Sequence, residues 1–197
     1  PSSYTWSARM ACEEKGISHD LEPIEFGSDA HKALHPFAKI PIMTHGDVVL
    51  YETAAICNYI DRSFDGPPLA PSDAAGQARM VQWISAFIDY YYDWCVKRIV
   101  IQRLVVPSRG GTPDEDMIAD AVPHARHCLS VADKALQSSP YLAGDAPSTA
   151  DYILTPIANY MGAVPEGKTV MEGLSAAGDW LSRMQARPSF AATAPSP

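Results

Sequence analysis

The chain has 197 residues, of which 47% are hydrophobic and 19% charged, and this composition is typical of a soluble globular protein with one large domain or two small ones. The net charge of −8 and the lack of any Lys/Arg block exclude a basic surface for nucleic acid. No run of about 18 apolar residues and no targeting segment is visible, so we expect no membrane span and a cytoplasmic location.

Residues 1–64 predict a small domain that mixes helix and strand. The predicted elements are a helix over 5–16, a strand over 18–25, a short helix or loop over 28–35, strands over 40–44 and 48–51 joined by a turn at 45–47, and a helix over 52–64. This order is that of a thioredoxin-like domain without its first strand. We expect that strand to precede Pro1 and to be absent from this chain.

Residues 65–72 predict a linker, because one glycine and three prolines stop both helix and strand there. Residues 73–188 then predict an all-helical domain, which begins with one long helix over 73–104. We expect the next helix to begin at Thr112, with Pro113 at its first helical position.

Two further local patterns predict structure in the last 50 residues of the chain. The segment Ser148-Thr149-Ala150-Asp151 is typical of a capping box with aspartate in the glutamate role, so we assign Ser148 and Asp151 to structure and not to chemistry. Residues 189–197 are rich in proline and small side chains and predict a mobile tail.

The cysteines predict free buried thiols rather than disulfides. Cys12, Cys57, Cys95 and Cys128 are far apart in the chain and form no Cys-x-x-Cys pair. No tight His/Cys spacing is present, so we expect no metal site.

A proline interrupts an apolar run that otherwise reads as a strand. Pro41 lies between Ile40 and Ile42, although proline removes a donor from a strand ladder. A cis Ile40-Pro41 bond explains this pattern, because only proline makes the cis form accessible. We then expect the backbone N–H and C=O of Ile40 to face an extended peptide, as an added strand would.

Glu52 and Thr53 follow at the change from strand to helix. Free N–H groups and the helix dipole hold carboxylates at such a position. A peptide-docking edge followed by a carboxylate-binding helix start predicts a small, acidic peptide ligand.

Three motifs in register, over nearly the whole chain, resemble those of one protein family. Residues 35–43, His-Pro-Phe-Ala-Lys-Ile-Pro-Ile-Met, resemble the family's Pro-Phe-Gly-Lys-Val-Pro-x-Leu motif, and Glu52-Thr53 resembles its acidic or amide residue plus serine. Residues 141–151 and 180–188 resemble the signature and the closing helix of its second domain.

The resemblance implies a cytosolic glutathione S-transferase, of bacterial type and of the serine-hydroxyl classes, with some zeta- and phi-like features. Its fold is a thioredoxin-like domain followed by an all-α domain. The implied reaction joins the glutathione thiolate to a hydrophobic electrophile, in a homodimer and without a metal. The chain departs from the family's motifs at two positions: Ala38 replaces the usual glycine, and Thr53 replaces the usual serine. We expect both replacements to be mild, since threonine keeps the hydroxyl and the N–H.

The reaction needs a thiolate. A free thiol has a pKa of about 8.5, and lowering it by about two units takes nearly 3 kcal/mol. A hydroxyl donor supplies about 1.5–3 kcal/mol, and a helix N-terminus adds about 0.3–1 kcal/mol.

The candidate donors lie just before the first helix. Residues 2–9 resemble the zeta-class segment Ser-Ser-Cys-Ser-Trp-x-Val-Arg, whose first serine acts on the sulfur and maps to Ser2. We therefore expect Ser2 or Ser3 to be catalytic, with Tyr4 as a further candidate. The structural alternative is that these hydroxyls only cap the helix.

The resemblance also assigns the glutathione-binding residues. They are Ile40 and Pro41 for the cysteinyl backbone, Lys39 for the glycyl carboxylate, and Glu52 and Thr53 for the γ-glutamyl end. The structural alternatives are a solvated Lys39, a Glu52 whose charge only favours the following helix N-terminus, and a Thr53 that caps that helix. The residues that precede the motif, His31, Lys32 and His35, are further binding candidates, but we expect each to be a surface residue.

Aromatic residues crowd the first helix of the second domain, which lines the electrophile site in this family. Tyr90, Tyr91 and Trp94 are the expected contacts, with core packing as the alternative. Three consecutive tyrosines cannot all face one way, so at least one should face a cleft or a subunit interface. We expect Arg9 to be structural and Arg98 and Arg103 to pair with local carboxylates.

Two other functions stay open. A glutathione-dependent isomerase of the maleylacetoacetate type is favoured by Ser2-Ser3 and Trp6. A non-catalytic module of the same fold would bind glutathione weakly or not at all, and replacing its serines would change no rate.

Overall fold

The computed structural model describes residues 2–195 of the chain. The helices are α1 Ser3–Glu14, α2 Asp29–Leu34, α3 Thr53–Ser63, α4 Ala74–Ala86, α5 Val106–Ser108, α6 Glu115–Leu136, α7 Thr149–Gly162, α8 Glu166–Met171, α9 Ser175–Gln185 and α10 Pro188–Thr193, the strands are β1 Ile42–His45 and β2 Val48–Tyr51, and a π-helical segment, Phe87–Val105, joins α4 to α5. The expected fold class is confirmed: a two-stranded sheet with helices is followed by helices alone.

The sheet within residues 2–195 is the β1–β2 hairpin. The strands are antiparallel, with Ile42 opposite Tyr51 and His45 opposite Val48. The expected strand over 18–25 is wrong, since these residues are irregular. An extended segment becomes a strand only when a neighbour takes its hydrogen bonds, and no strand of the described chain pairs with this one.

The central helix of the first domain is α1. The Ser2 side chain caps it by accepting a hydrogen bond from the Thr5 N–H at 3.3 Å. Trp6 and Met10 are buried on the face that packs against α3, α7 and α10. The helix ends before Gly16, which has a φ of 68° that suits glycine.

The long helix expected over 73–104 runs without a break from α4 to α5. From Phe87 to Val105 its hydrogen bonds reach five residues back, and the Val106 N–H still donates to the Ile101 carbonyl. In most proteins this geometry is confined to a single turn. Because each turn of this segment holds more residues than an α-helical turn, the side chains that share a face are spaced differently along the sequence.

The start of α6 differs from the sequence-based expectation. The helix begins at Glu115 after Asp114, whose carboxylate accepts a hydrogen bond from the Met117 N–H at 2.9 Å. The expected start at Thr112, with Pro113 in the first turn, is therefore wrong. A carboxylate cap satisfies a free N–H, which proline at the first position does not do.

The capping box of α7 is confirmed. Buried Asp151 accepts hydrogen bonds from the N–H groups of Leu142 and Ser148, from the Ser148 hydroxyl and from the Trp180 indole. Burial raises the pKa of Asp151, and the four donors oppose that shift by stabilising the carboxylate. The aspartate thus joins three segments of the helical domain.

The expected mobile tail over 189–197 is wrong for its first part. Residues 188–193 form α10, in which Ser189 and Thr193 are buried. The Trp6 indole N–H donates to the Thr193 hydroxyl at 2.9 Å. Ser196 and Pro197 lie outside the described residues.

A polar cluster fastens this C-terminal helix to the first domain. The Arg187 guanidinium donates two hydrogen bonds to the Glu14 carboxylate, and the Ser189 hydroxyl donates a third. Arg9 donates to the Thr193 carbonyl at 3.0 Å, which confirms its structural role. The position of α1 therefore depends on residues about 175 positions later in the chain.

Candidate functional site

The peptide-docking edge has the expected geometry. The Ile40-Pro41 peptide bond is cis. Within the described residues, the backbone N–H and C=O of Ile40 make no hydrogen bond, although both neighbouring segments do. An unpaired donor and acceptor on one residue match the backbone of an extended peptide.

Two histidines beside this edge are buried and not on the surface as expected. His31 is 0% exposed and His35 is 1% exposed, whereas Lys32 is exposed as expected. The His31 ring lies against the Lys39 carbonyl at 2.9 Å, and the His35 ring lies over Tyr51 with centroids 4.6 Å apart. The charged side chain of Lys39 itself is exposed.

Ala38 has a conformation that its residue type disfavours. Its φ is 48°, in the left-handed region that glycine occupies at little cost. The alanine that replaces the family's usual glycine is therefore not a mild departure for the backbone.

The start of α3 is open to a ligand. Glu52 occupies the N-cap position with a φ of 70°, its side chain makes no capping hydrogen bond, and it is exposed. Since the Glu52 side chain does not cap them, the first N–H groups of α3 can donate hydrogen bonds to a ligand carboxylate. A non-glycine residue at positive φ costs about 1–3 kcal/mol, and such strain clusters at functional sites.

A hydrogen bond brings the starts of α1 and α3 together. The buried Thr53 hydroxyl donates to the Tyr4 carbonyl at 3.4 Å. The positive ends of two helix dipoles therefore lie on the same side of the domain, which favours an anion between them.

The hydroxyls of Ser2 and Ser3 have different surroundings. Ser2 is half-buried, and its oxygen accepts the capping bond from Thr5, so its own proton stays available for donation. Ser3 is 5% exposed within the first turn of α1. Helix capping and thiolate stabilisation by Ser2 are thus compatible.

Tyr4 links α1 to the helical domain. Its ring stacks on that of Tyr92, with centroids 4.6 Å apart and an interplanar angle of 22°. Burial, followed by the neighbouring Tyr92, Glu52 and Asp89, raises the pKa of Tyr4, so its hydroxyl stays protonated. Tyr92 is the last of the three consecutive tyrosines and was not among the predicted electrophile contacts.

The three residues expected to contact the electrophile lie away from the candidate glutathione-binding residues. Tyr90, Tyr91 and Trp94 line a cavity of about 650 Å³ between the long helix and α6, and no candidate glutathione-binding residue lines it. Tyr90 is 60% exposed, while Tyr91 is 3% exposed and its hydroxyl donates to the Cys128 carbonyl. The roles of these three residues remain predictions. The Tyr4–Tyr92 stack lies at the start of α1, next to the candidate donors Ser2 and Ser3.

The two arginines of the long helix pair with nearby carboxylates. Arg98 pairs with Asp93, and Arg103 pairs with Glu115 and Glu166, as expected.

Among residues 2–195, no group of three or more His, Cys, Asp or Glu side chains is arranged to hold a metal. No helix in the same range is long and apolar enough to cross a membrane.

The four cysteines are free thiols, as expected, but Cys12 is only half-buried, whereas the other three are buried as predicted. Burial raises the pKa of each thiol. The pKa of Cys12 is raised to about 11 and that of Cys57 to about 12. A thiol so raised holds its proton at neutral pH, so none of them is an activated nucleophile.

Comparison with known proteins agrees with this geometry. The family model for the glutathione S-transferase N-terminal domain matches residues 1–63, and that for the C-terminal domain matches residues 87–188. Glutathione S-transferase 1 of Triticum aestivum is 30% identical over 189 residues, which cover 89% of this chain and 82% of the relative. Glutathione S-transferase 1 of Zea mays is 31% identical over 179 residues, which cover 83% of each chain.

Solved structures give the same result. Glutathione transferase F7 of Populus trichocarpa is 28% identical with a TM-score of 0.90, over 98% of this chain and 93% of that one. Maize glutathione S-transferase I, in complex with an atrazine glutathione conjugate, is 27% identical with a TM-score of 0.87, over 98% and 92% of the two chains. These relatives are plant transferases of the phi class, and the expected bacterial-type and serine details stay predictions. The chain belongs to the glutathione S-transferase family.

Proposed function

We propose that this protein conjugates glutathione to an electrophilic small molecule. The observation that carries the proposal is the unpaired backbone of Ile40 at the cis Ile40-Pro41 bond, together with the uncapped start of α3. The thiolate sulfur attacks an electrophilic carbon, a C–S bond forms, and the leaving group departs with its electron pair. The maize relative in complex with an atrazine conjugate of glutathione supports this reaction class.

Different residues bind different parts of the glutathione molecule. Ile40 and Pro41 dock the cysteinyl backbone, and the exposed Lys39 ammonium pairs with the glycyl carboxylate. The N–H groups at Thr53 take the γ-glutamyl carboxylate, and Glu52 takes the amino group. This assignment follows the family resemblance, and the open start of α3 supports it.

Ser2 is the proposed thiolate donor, with Ser3 as the second candidate. The Ser2 proton is not used by the helix cap, and the Ser3 side chain is buried in the first turn. The protonated Tyr4 hydroxyl is a third donor, and its ring with that of Tyr92 offers a flat apolar surface for the electrophile.

The test is the ultraviolet absorbance of the glutathione thiolate, titrated between about pH 5 and 9 with and without protein. We expect the bound thiol to titrate about two units below its free value. Binding without such a shift would favour a non-catalytic module, and no binding would contradict the proposal.

The donor is then identified with matched variants. Ser2→Gly removes the hydroxyl but costs the helix cap only a few tenths of a kcal/mol, whereas Ser2→Ala also removes a good cap. We expect Ser2→Gly to return the bound thiol toward its free pKa and Ser2→Thr to retain the shift. If Ser3→Ala has the larger effect, the assignment moves to Ser3.

The family resemblance also leads us to propose a homodimer. Large apolar side chains are exposed on both halves of the chain, such as Phe37, which is 67% exposed, and Ile88, which is 47% exposed. Such surfaces fit a subunit contact. A sedimentation run that gives a monomer at micromolar concentration would refute this.

The same resemblance supports two finer assignments. We propose domains over 1–64 and 73–188 with the linker at 65–72, which contains no helix or strand. We also propose that the protein acts in the cytoplasm, where its free thiols would stay reduced. Limited proteolysis that cuts first within 65–72 and fractionation of the native cells are the respective tests.

A further inference from the structure

Both ring nitrogens of His31 are hydrogen-bonded. The Gly27 N–H donates to Nδ1 at 3.1 Å, and because a backbone N–H can only donate, Nδ1 carries no proton. In the neutral imidazole the proton is then on Nε2, which donates to the Lys39 carbonyl at 2.9 Å. The ring is fully buried and so ties the loop before α2 to the segment after it.

The Lys39 carbonyl belongs to the same peptide unit as the Ile40 N–H. The cis bond of this segment is the next one, Ile40-Pro41, so the Lys39–Ile40 peptide is trans and planar. In a trans peptide the N–H and the C=O point in opposite directions. A bond that holds the Lys39 carbonyl therefore also sets the direction of the Ile40 N–H.

The rings around His31 limit its movement. Phe26 meets the imidazole edge-on with centroids 5.2 Å apart, and the His35 ring lies at 6.5 Å. The backbone N–H of His31 is bonded to the Ser28 side chain at the start of α2. The imidazole is thus held by the fold and can act as a rigid support.

We propose that His31 is a positioning residue for glutathione: it fixes the peptide plane that aims the Ile40 N–H at the ligand backbone. This inference rests on the proposed function of the docking edge. His31 itself does not touch the ligand, because its two nitrogens are bonded within the protein. Without the support, the plane is free to rotate, and the ligand must order it on binding.

Two amide variants separate the two hydrogen bonds. The amide nitrogen of His31→Gln replaces Nε2 and can still donate to Lys39, whereas the amide oxygen of His31→Asn replaces Nδ1 and keeps only the Gly27 bond. We expect His31→Asn to raise the KM for glutathione about five- to tenfold, the effect of one hydrogen bond. We expect His31→Gln to stay within about twofold of the wild type, and kcat and the electrophile KM to be unchanged in both.

His45→Gln is the matched control, because His45 is an exposed histidine of the same domain, outside the site, whose ring is bonded to Tyr59. Equal glutathione KM values for the Gln and Asn variants of His31, or an equal loss of kcat in both, would overturn the proposal. Failure of the wild type to bind glutathione would instead overturn the proposed function itself.

A measurement on the unmodified protein keeps the inference testable if a variant does not fold. A long-range ¹H–¹⁵N spectrum of the histidine rings reports which nitrogen carries the proton. We expect the Nε2–H tautomer for His31 at neutral pH. An Nδ1–H tautomer would leave Nε2 without a proton to donate to the Lys39 carbonyl, and the proposed tether would not exist.

Discussion

Replacing Ala38 by glycine should stabilise the protein. Ala38 has a φ of 48°, and an L-residue in the left-handed region costs about 1–2 kcal/mol relative to the usual regions. Glycine adopts this conformation at little cost, but it also gives the unfolded chain more freedom, which takes back about 0.4–1 kcal/mol. The expected net gain is about 0.5–1 kcal/mol, or a rise in Tm of about 1–4 °C for a chain of this size.

Thermal and urea unfolding, followed by circular dichroism, measure this gain. Ala33→Gly is the matched control, because Ala33 is an exposed residue inside α2 where glycine costs about 1 kcal/mol. The two identical substitutions should therefore shift the midpoint in opposite directions. If Ala38→Gly lowers the midpoint as Ala33→Gly does, the conformational argument is refuted.

Three further predictions concern the polar core and the aromatic pair. Asp151→Asn places amide hydrogens against donors that bond the carboxylate in the wild type, so it should lower the free energy of unfolding by about 3 kcal/mol in a urea titration. A decrease below about 1 kcal/mol would contradict the hydrogen-bond network. Burial alone would raise the pKa of Glu14, but hydrogen bonds from Arg187 and Ser189 lower it. The free energy of unfolding of the wild type should therefore exceed that of Glu14→Gln by its full amount above about pH 4.5, and the difference should shrink as the pH falls further. A difference in stability that does not change with pH would contradict this. Tyr92→Ala should lower kcat/KM for an aromatic electrophile about five- to tenfold at an unchanged glutathione KM, and a larger effect of Tyr90→Ala would favour the original assignment of the electrophile site.

Short-range patterns in the sequence were sufficient for several features. The proline inside an apolar run predicted the cis Ile40-Pro41 bond, and the spacing of Ser148 and Asp151 predicted the capping box of α7. These predictions hold because each interaction involves residues close in sequence, whose geometry the local chain decides.

Local pattern was not sufficient where the partner is far along the chain. The tail over 189–197 reads as mobile by composition, but Thr193 is held by Trp6, 187 positions earlier. The segment 18–25 has the composition of a strand, but no strand of the described chain pairs with it. Secondary structure at both places depends on a neighbour that sequence alone does not identify.

The motifs in the chain were sufficient to predict the family, the change from a mixed domain to an all-helical one, and the two segments that hold the proposed ligand. Long-range packing places His31 in a buried position under the docking edge and brings Tyr92, rather than Tyr90, against α1. The physical reason is that a motif records which groups are available, whereas burial and orientation follow from how distant segments pack. A histidine that reads as a surface residue becomes a support only when the fold brings Gly27 and Lys39 to its two nitrogens.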